Sequence, residues 1–214
     1  MKTAMKFVAI LMILGLALGF ASTRPVYAVS NLYVSTSGND INDCFTSGTA
    51  CATIAGAISK AIGGETIMVA AGTYSVSSTI IVDKSVTISG DAGAMVLGTG
   101  TTATTLSIFK ITASNVTIKG LEIVHNTMPS YGAFGWTEVD WSLIQVPATL
   151  HLGGISILNN TIHCQAQTPG AMGTWGGIAL TIGADNENGI TISGNTIYNT
   201  RNGIVIIIMM RLAR

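Results

Sequence analysis

A short segment recurs along this chain and restricts its possible folds more than anything else in the sequence. Three copies align almost residue for residue, at residues 116–123 (VTIKGLEI), 155–162 (ISILNNTI) and 190–197 (ITISGNTI). A partial copy lies at residues 86–90 (VTISG), and a related apolar run lies at residues 67–69 (IMV). In each full copy, apolar residues alternate, the phase slips by one at a Gly or Asn, and alternation resumes. Each copy therefore predicts two short strands joined by a tight corner.

The copies begin at residues 67, 86, 116, 155 and 190, so their spacing is uneven. A constant unit at uneven spacing predicts variable loops on a regular coil. A β-sandwich would need antiparallel strands joined by hairpins, and the copies do not contain the Asn-Gly signals expected between such strands. The sequence therefore predicts a parallel β-solenoid. Asn160 and Asn195 share one repeat position, where we expect them to hydrogen-bond along the coil axis.

Insertions in two neighbouring turns indicate where a functional site lies. With three strands in each turn, residues 190–193 form the second strand, 195–198 the third, and 203–206 the first strand of the next turn. In the two preceding turns the third strand is followed by insertions at residues 127–142 and 165–176. Stacked turns are about 4.8 Å apart. We therefore expect these loops to stand side by side at one corner and to form the wall of a groove.

The composition excludes some classes of protein. Only 9% of the 214 residues are charged, and ten basic side chains balance ten acidic ones. This balance argues against nucleic acid as a partner, because such binding needs a strongly basic surface. Hydrophobic residues make up 48% of the chain, which argues against a disordered chain.

Residues 1–28 have the pattern of a secretory signal peptide. Lys2 and Lys6 are basic, residues 7–20 form an uncharged apolar stretch, and Ala28 is a small residue of the kind that a signal peptidase prefers. A retained membrane anchor is the alternative, but the apolar stretch is shorter than the roughly 20 residues that a spanning helix needs. We therefore predict a secreted or cell-surface protein with no stable membrane span after cleavage.

Several motifs lie beyond the signal peptide: LYVS at 32–35, SGND at 37–40, CATI at 51–54, GETIMV at 64–69 and GTY at 72–74. In these motifs the chain resembles secreted proteins of the pectin-lyase-like superfamily. The resemblance implies an all-β fold, a right-handed parallel β-helix, for nearly the whole mature chain. It implies no single activity, because the superfamily includes lyases, hydrolases and adhesins.

We divide the mature chain into an N-terminal segment with a capping helix, residues 29–64, and the β-helix, residues 65–214. Isoleucines recur at helical spacing in the first part, at Ile54, Ile58 and Ile62. One face of this short helix can therefore cover the open end of the coil.

The three cysteines all lie in the exported part, where an oxidising compartment is available. Cys44 and Cys51 enclose a short loop, so we expect a disulfide between them. Cys164 is left unpaired, and we expect it to be a buried or half-buried small hydrophobic residue rather than a reactive thiol.

Aromatic and acidic residues collect in the two insertions. They are Trp136, Trp141, Trp175, Tyr131, Glu138 and Asp140. Flat rings beside carboxylates suit a sugar, because the apolar face of a sugar ring packs on an aromatic ring while its hydroxyls bond to acids. The alternative is that the rings fold inward as a small core that holds the long loop together. The sequence leaves both interpretations open.

Candidates for catalysis are few. A glycoside hydrolase needs two carboxyl groups roughly 5 to 9.5 Å apart, and Glu138 with Asp140 can supply them only if their loop folds suitably. A lyase of the superfamily that this chain resembles needs calcium-binding acids and a basic residue on the groove-lining strand. Lys110 is the basic candidate, while Ala179, Thr181 and Val205 are inert outward positions on that strand. Whether the protein is an enzyme is left undecided.

Asp185 and Glu187 have an oxygen-rich spacing that suits calcium, although a solvated turn explains them more simply. No other cofactor is indicated. His125, His151 and His163 lie at different points of the repeat, so we expect exposed or corner histidines rather than metal ligands.

The end of the sequence departs from the repeat. Residues 207–210 are apolar without alternation, and no polar cap comes after them. Such an end leaves apolar interior and strand edges open, which favours pairing with another chain. A short helix over residues 206–214 that caps the coil is the alternative, although its β-branched isoleucines disfavour a helix. We expect a truncated or self-associating end.

Together these patterns favour a secreted β-helix protein that binds or processes extracellular polysaccharide or a cell-surface glycan. The alternative is a non-catalytic surface or structural solenoid of the adhesin kind. The two differ in whether the acids and aromatic rings converge in one groove or scatter over the surface.

Overall fold

The computed structural model describes residues 30–99, 107–126, 142–147, 150–165, 178–183, 188–200 and 202–207. In this part of the chain it contains one α-helix, α1 (Ile54–Lys60), a 3₁₀ turn at Ser47–Thr49 and three sheets. Sheet A contains β1 (Asn31–Val34), β2 (Thr66–Val69), β5 (Thr87–Gly90), β8 (Thr117–Lys119), β11 (Gly153–Leu158) and β14 (Asn188–Ser193). Sheet B contains β3 (Gly72–Val76), β6 (Ala94–Gly98), β9 (Glu122–His125), β12 (Thr161–Cys164) and β15 (Thr196–Tyr198). Sheet C contains β4 (Ile80–Val82), β7 (Phe109–Ile111), β10 (Ser142–Val146), β13 (Ile178–Gly183) and β16 (Asn202–Ile207).

The strand order within each sheet shows that the chain winds as a coil. Each full turn adds one strand to sheets C, A and B in succession, and neighbouring turns pair in parallel. Equivalent residues of the repeat are register partners: Ile118 pairs with Ile157, which pairs with Ile192. The predicted parallel β-helix with three strands in each turn is therefore confirmed. Every copy of the repeat begins on sheet A.

Aliphatic side chains from all three sheets fill the interior of the coil. Ile118 and Ile157 of sheet A, Ile123 and Ile162 of sheet B and Ile144 of sheet C have no exposed surface. Because every second residue of a strand points inward, equivalent side chains stack from turn to turn. Burial of one such side chain contributes about 1.5 to 3 kcal/mol. The columns of isoleucine are thus a main source of stability.

The corner between sheets A and B is tight and repeats from turn to turn. Its first residue has a positive φ, +69° at Gly120, +53° at Asn159 and +67° at Gly194. This left-handed region disfavours most side chains, and Gly and Asn tolerate it best. The slip of phase in the sequence repeat is therefore the mark of this corner.

The second corner position carries the asparagine ladder that the sequence predicted. Asn160 Nδ2 donates to the Ile118 carbonyl (2.9 Å) and to Asn195 Oδ1 (3.1 Å). Asn160 Oδ1 accepts from the Leu121 N–H at 3.0 Å. In the next turn Asn195 Oδ1 accepts from the Asn160 N–H (2.9 Å), and its Nδ2 donates to the Ile157 carbonyl (2.7 Å). The ladder satisfies backbone groups that the bend would otherwise bury without partners.

Helix α1 packs against β1, β2 and β4 at the N-terminal end of the coil. Ile54 and Ile58 are buried, as the predicted cap requires, whereas the prediction for Ile62 is wrong, because that side chain is 71% exposed. The helix ends at Lys60, and Ala61 is already extended, with ψ 145°, so Ile62 does not continue the helical stripe. No helix in the described residues is both long enough and apolar enough to span a membrane.

The Cys44–Cys51 disulfide is present, with the two Cα atoms 5.1 Å apart. Both cysteines are fully buried, and the Cys51 N–H donates to the Tyr33 carbonyl of β1 at 2.8 Å. The bridge therefore fixes the N-terminal segment to the first strand. Cys164 is buried, as predicted.

Candidate functional site

The long connections of the coil leave from the corner between sheets B and C. Residues 126–141 join β9 to β10, and residues 165–177 join β12 to β13. The same corner is short at residues 77–79 and 199–201, and between β6 and β7 it spans residues 99–108, fewer than in either insertion. The two insertions therefore leave from one corner in neighbouring turns, as the sequence indicated.

The strand register places the ends of these two connections side by side. Where they leave sheet B, His125 is the register partner of Cys164. Where they return to sheet C, Ser142 is the register partner of Ile178. Two segments whose four ends are paired in this way start and finish one strand spacing apart, about 4.8 Å.

Beside this corner, one row of residues crosses sheet C in register. Ile81 pairs with Lys110, Lys110 with Gln145, Gln145 with Thr181 and Thr181 with Val205. Lys110 lies between Phe109 and Ile111, which are both fully buried, so Lys110 belongs to the outer face. The predicted basic candidate therefore lies on β7, next to β10, the strand into which connection 126–141 leads.

Exposure along this row is uneven. Ile81 is 45% exposed and Lys110 is half-buried, whereas Gln145 is only 4% exposed. The outer face of sheet C is thus covered at Gln145 and open at Ile81 and Lys110. Sequence reasoning missed Gln145, although the alternation of Leu143 to Val146 already places it in the outward phase.

Most of the predicted site residues lie outside the part of the chain that the structure describes. This holds for the predicted carbohydrate-binding and acidic residues and for the calcium candidates: Tyr131, Trp136, Glu138, Asp140, Trp141, Trp175, Asp185 and Glu187. Among the described residues, no group of three or more His, Cys, Asp or Glu side chains is arranged to hold a metal ion.

A polar and aromatic cluster that the sequence did not predict lies on the outer face of sheet B. His163 Nε2 is 2.9 Å from Glu122 Oε1 of the preceding turn. On its other side the His163 ring stacks on Tyr198 of the next turn, with centroids 4.4 Å apart and planes 10° from parallel. His163 is the register partner of Tyr198, and Glu122 is the partner of Thr161. The contact with Glu122 is therefore diagonal across the sheet.

The histidines are less exposed than expected. His125 is fully buried at the end of β9, beside the corner, and His163 is 9% exposed within β12, so neither is an exposed histidine and His163 is not at a corner. His163 is covered because stacking on Tyr198 shields one face of its ring. His151 is exposed in a connection, with φ +47°. An alignment of the repeat copies would have predicted that His163 and Tyr198 lie beside each other in neighbouring turns.

Neither a sequence profile of a known family nor a curated protein matches this chain. Among solved structures, it is similar to a rhamnogalacturonan lyase, with a TM-score of 0.54 and 14% sequence identity. The match covers 84% of this chain and 53% of the lyase chain, so this chain spans about half the length of that protein. The likeness confirms the predicted fold, the parallel β-helix of pectin-lyase-like proteins. It shows the fold alone.

Proposed function

We propose that this protein is exported and binds extracellular polysaccharide on the outer face of sheet C, beside connections 126–141 and 165–177. The observation that carries the proposal is the pairing of the four ends of these connections in neighbouring turns. Loops that start and finish side by side form a wall along the sheet that they border. Lys110 and Ile81 then form the open floor beside that wall.

The residues within the connections supply the chemistry. Trp136, Trp141 and Trp175 offer flat rings on which the apolar face of a sugar packs, and Tyr131 adds a fourth. Glu138 and Asp140 offer acceptors for sugar hydroxyls. The similar solved structure is named as a lyase of rhamnogalacturonan, which supports polysaccharide as the class of ligand.

A non-catalytic surface solenoid is the second candidate. It is favoured by the row across sheet C, in which Lys110 is the one ionisable residue among the five register partners. Acid–base cleavage of a glycosidic bond needs positioned groups in addition to a bound sugar. Glu138 and Asp140 are the only acidic residues in the two connections, so they are the candidates for acid–base catalysis there.

The test uses the purified protein and a panel of acidic and neutral glycans, with binding and bond cleavage measured in the same samples. Each glycan is offered with calcium and with a chelator, which tests Asp185 and Glu187 as ligands. We expect the double variant Trp136→Ala/Trp175→Ala to lose at least tenfold in glycan affinity with little change in the melting temperature. Phe45→Ala is the matched control, because Phe45 is 53% exposed and lies in the disulfide loop.

The outcomes separate the candidates. A large fall in melting temperature in the double variant would show that the rings form a small core, and the proposed site would be withdrawn. If cleavage is observed, it should be lost in Glu138→Gln, Asp140→Asn or Lys110→Met, whichever residue acts in the reaction. Binding without cleavage of any glycan supports the non-catalytic solenoid.

A further inference from the structure

Two asparagines at the corners that flank sheet A begin the acceptor sequence for N-linked glycans, which is Asn, any residue except Pro, then Ser or Thr. The two sequences are residues 115–117 (NVT) and 159–161 (NNT), and no other asparagine of the chain is followed in this way. Asn115 lies at the corner between sheets C and A, just before β8, and Asn159 lies at the corner between sheets A and B, directly after β11. Both acceptor sequences thus lie where the coil turns.

The two acceptor sequences have the same pattern of burial. Asn115 and Asn159 are exposed, the middle residue of each sequence is buried, and Thr117 and Thr161 are half-buried. Because alternate residues of an extended chain point to opposite sides, the asparagine and the threonine of each sequence lie on the outside together. The two side chains that define the acceptor sequence are therefore both on the surface.

The following turn leaves room for each of these asparagines. Register places Gly154 one turn after Asn115, and Gly194 one turn after Asn159. A Cβ on either glycine would collide with Oδ1 of the asparagine before it, so each asparagine side chain lies over a residue that has none. Oδ1 is the atom turned towards the glycine, and Nδ2, the atom that carries an N-linked glycan, lies farther from it.

Neither carboxamide is needed to hold its corner. Among the described residues, no hydrogen bond joins the side chain of Asn115 or Asn159 to another group. The polar residues beside them make those bonds instead. Asn160 Nδ2 donates to the Ile118 carbonyl at 2.9 Å, and Ser114 Oγ accepts from the Gly153 N–H at 3.1 Å. A group attached to either exposed asparagine therefore breaks no contact of the fold.

We propose that Asn115 and Asn159 are attachment sites for N-linked glycans. The proposal rests on the export that is part of the proposed function, because the donor, an oligosaccharide carried on a lipid pyrophosphate, meets a chain as it leaves the cytoplasm. In the transfer, Nδ2 bonds to the anomeric carbon of the oligosaccharide, and the bond from that carbon to the pyrophosphate oxygen breaks. The lipid pyrophosphate leaves with the electron pair, and the amide nitrogen gives up one proton.

The two attachment sites leave the proposed polysaccharide site open. They border sheet A, one at each edge, whereas connections 126–141 and 165–177 leave from the corner between sheets B and C. Attached glycans are bulky and solubilising. They therefore cover the outer face of sheet A and leave the outer face of sheet C beside the connections accessible.

The test is mass spectrometry of peptides from the protein that its natural cells export. We expect glycopeptides that contain Asn115 and Asn159. Thr117→Val and Thr161→Val should each lose the glycan at their own site only. The matched controls, Thr117→Ser and Thr161→Ser, should keep it, because serine also completes the acceptor sequence. All four variants retain the asparagines, so the corners keep the residues that adopt a positive φ.

Exported protein with both asparagines unmodified would overturn the proposal. A glycan that persists in both valine variants would be attached at another residue and would overturn the assignment. Protein that stays inside the cells would overturn the proposed export, and the modification with it. The double variant Thr117→Val/Thr161→Val should bind polysaccharide as the wild type does, so that loss of modification and loss of the proposed polysaccharide binding are measured separately.

Discussion

The two corner asparagines of the ladder contribute unequally to the stability of the folded state. Asn160 is 1% exposed and holds the Leu121 N–H and the Ile118 carbonyl, whereas Asn195 is only half-buried. Leaving a buried backbone group without a partner costs roughly 1 to 3 kcal/mol. We expect Asn160→Leu to destabilise by about 3 kcal/mol and Asn195→Leu by about 1 to 2 kcal/mol. Urea unfolding measures both, and equal stability of wild type and Asn160→Leu would remove the ladder as a source of stability.

Glu65 is a single residue that makes stability depend on pH. Burial alone would raise the pKa of Glu65, but backbone N–H groups of Ile62, Gly63 and Glu65 itself outweigh burial and lower it. The Ile62 and Gly63 donors lie 3.0 and 2.7 Å from the carboxylate oxygens. Because the pKa is lower in the folded state, the stabilisation is present above the ordinary pKa and is lost as the pH falls through the folded value.

We therefore expect wild type to exceed Glu65→Gln in unfolding free energy by about 1 to 2 kcal/mol at pH 7. The gap should shrink as the pH falls below about 4.5. Unfolding of both proteins is followed between pH 3 and pH 7, so that the effects of the other acids cancel in the difference. A gap that grows as the pH falls would contradict the assignment.

At the scale of one element, helix α1 depends on a carboxylate at its N-terminus. Asp40 Oδ1 accepts from the Ala52 and Thr53 N–H groups, and Oδ2 accepts from the Thr53 hydroxyl, whose oxygen accepts the Gly56 N–H. A Cβ at Gly56 would collide with the Asp40 carboxylate. The glycine thus leaves room for the acid that caps the helix.

This arrangement reverses the usual effect of replacing a helical glycine. Gly→Ala inside a helix usually stabilises by about 0.5 to 1 kcal/mol, but we expect Gly56→Ala to destabilise, by about 1 to 2 kcal/mol, because it displaces the cap. Asp40→Ala should cost a similar amount. When Asp40 is already alanine, Gly56→Ala should be neutral or stabilising, because the carboxylate with which the Cβ collides is gone. Thermal unfolding of the wild type, both single variants and the double variant measures this. Additive losses of stability would exclude the collision as the cause.

At the scale of the whole molecule, a solenoid separates its functions along and around its axis. The proposed glycan site lies on the outer face of sheet C, beside Lys110, whereas the cap formed by helix α1 lies across the axis at the N-terminal end of the coil. Each turn contacts only its neighbours, so changes at one site are transmitted weakly to the other. We therefore expect Gly56→Ala to bind glycan as the wild type does, although it destabilises the cap. Loss of glycan binding in Gly56→Ala, with the folded state retained by circular dichroism, would contradict this separation.

The sequence by itself determined the repeat and the local geometry that the repeat dictates. The alternation of residues 155–162 defines the two strands, and the slip at Asn159 defines the corner between them. Alignment of the copies places Asn160 against Asn195, and the short spacing of Cys44 and Cys51 indicates their bridge. These features depend on residues close in sequence or one repeat apart, so local geometry and the period of the coil are sufficient to predict them.

The tertiary structure alone decided the contacts and exposures that depend on how turns are stacked. The diagonal contact of His163 with Glu122 and the burial of Gln145 cannot be deduced from the period of the repeat. Nor can the exposure of Ile204, which has the pattern of a core residue and is 46% exposed. Alternation fixes the side of a strand on which a residue lies, but its exposure is set by the neighbouring turn, and that neighbour is distant in sequence.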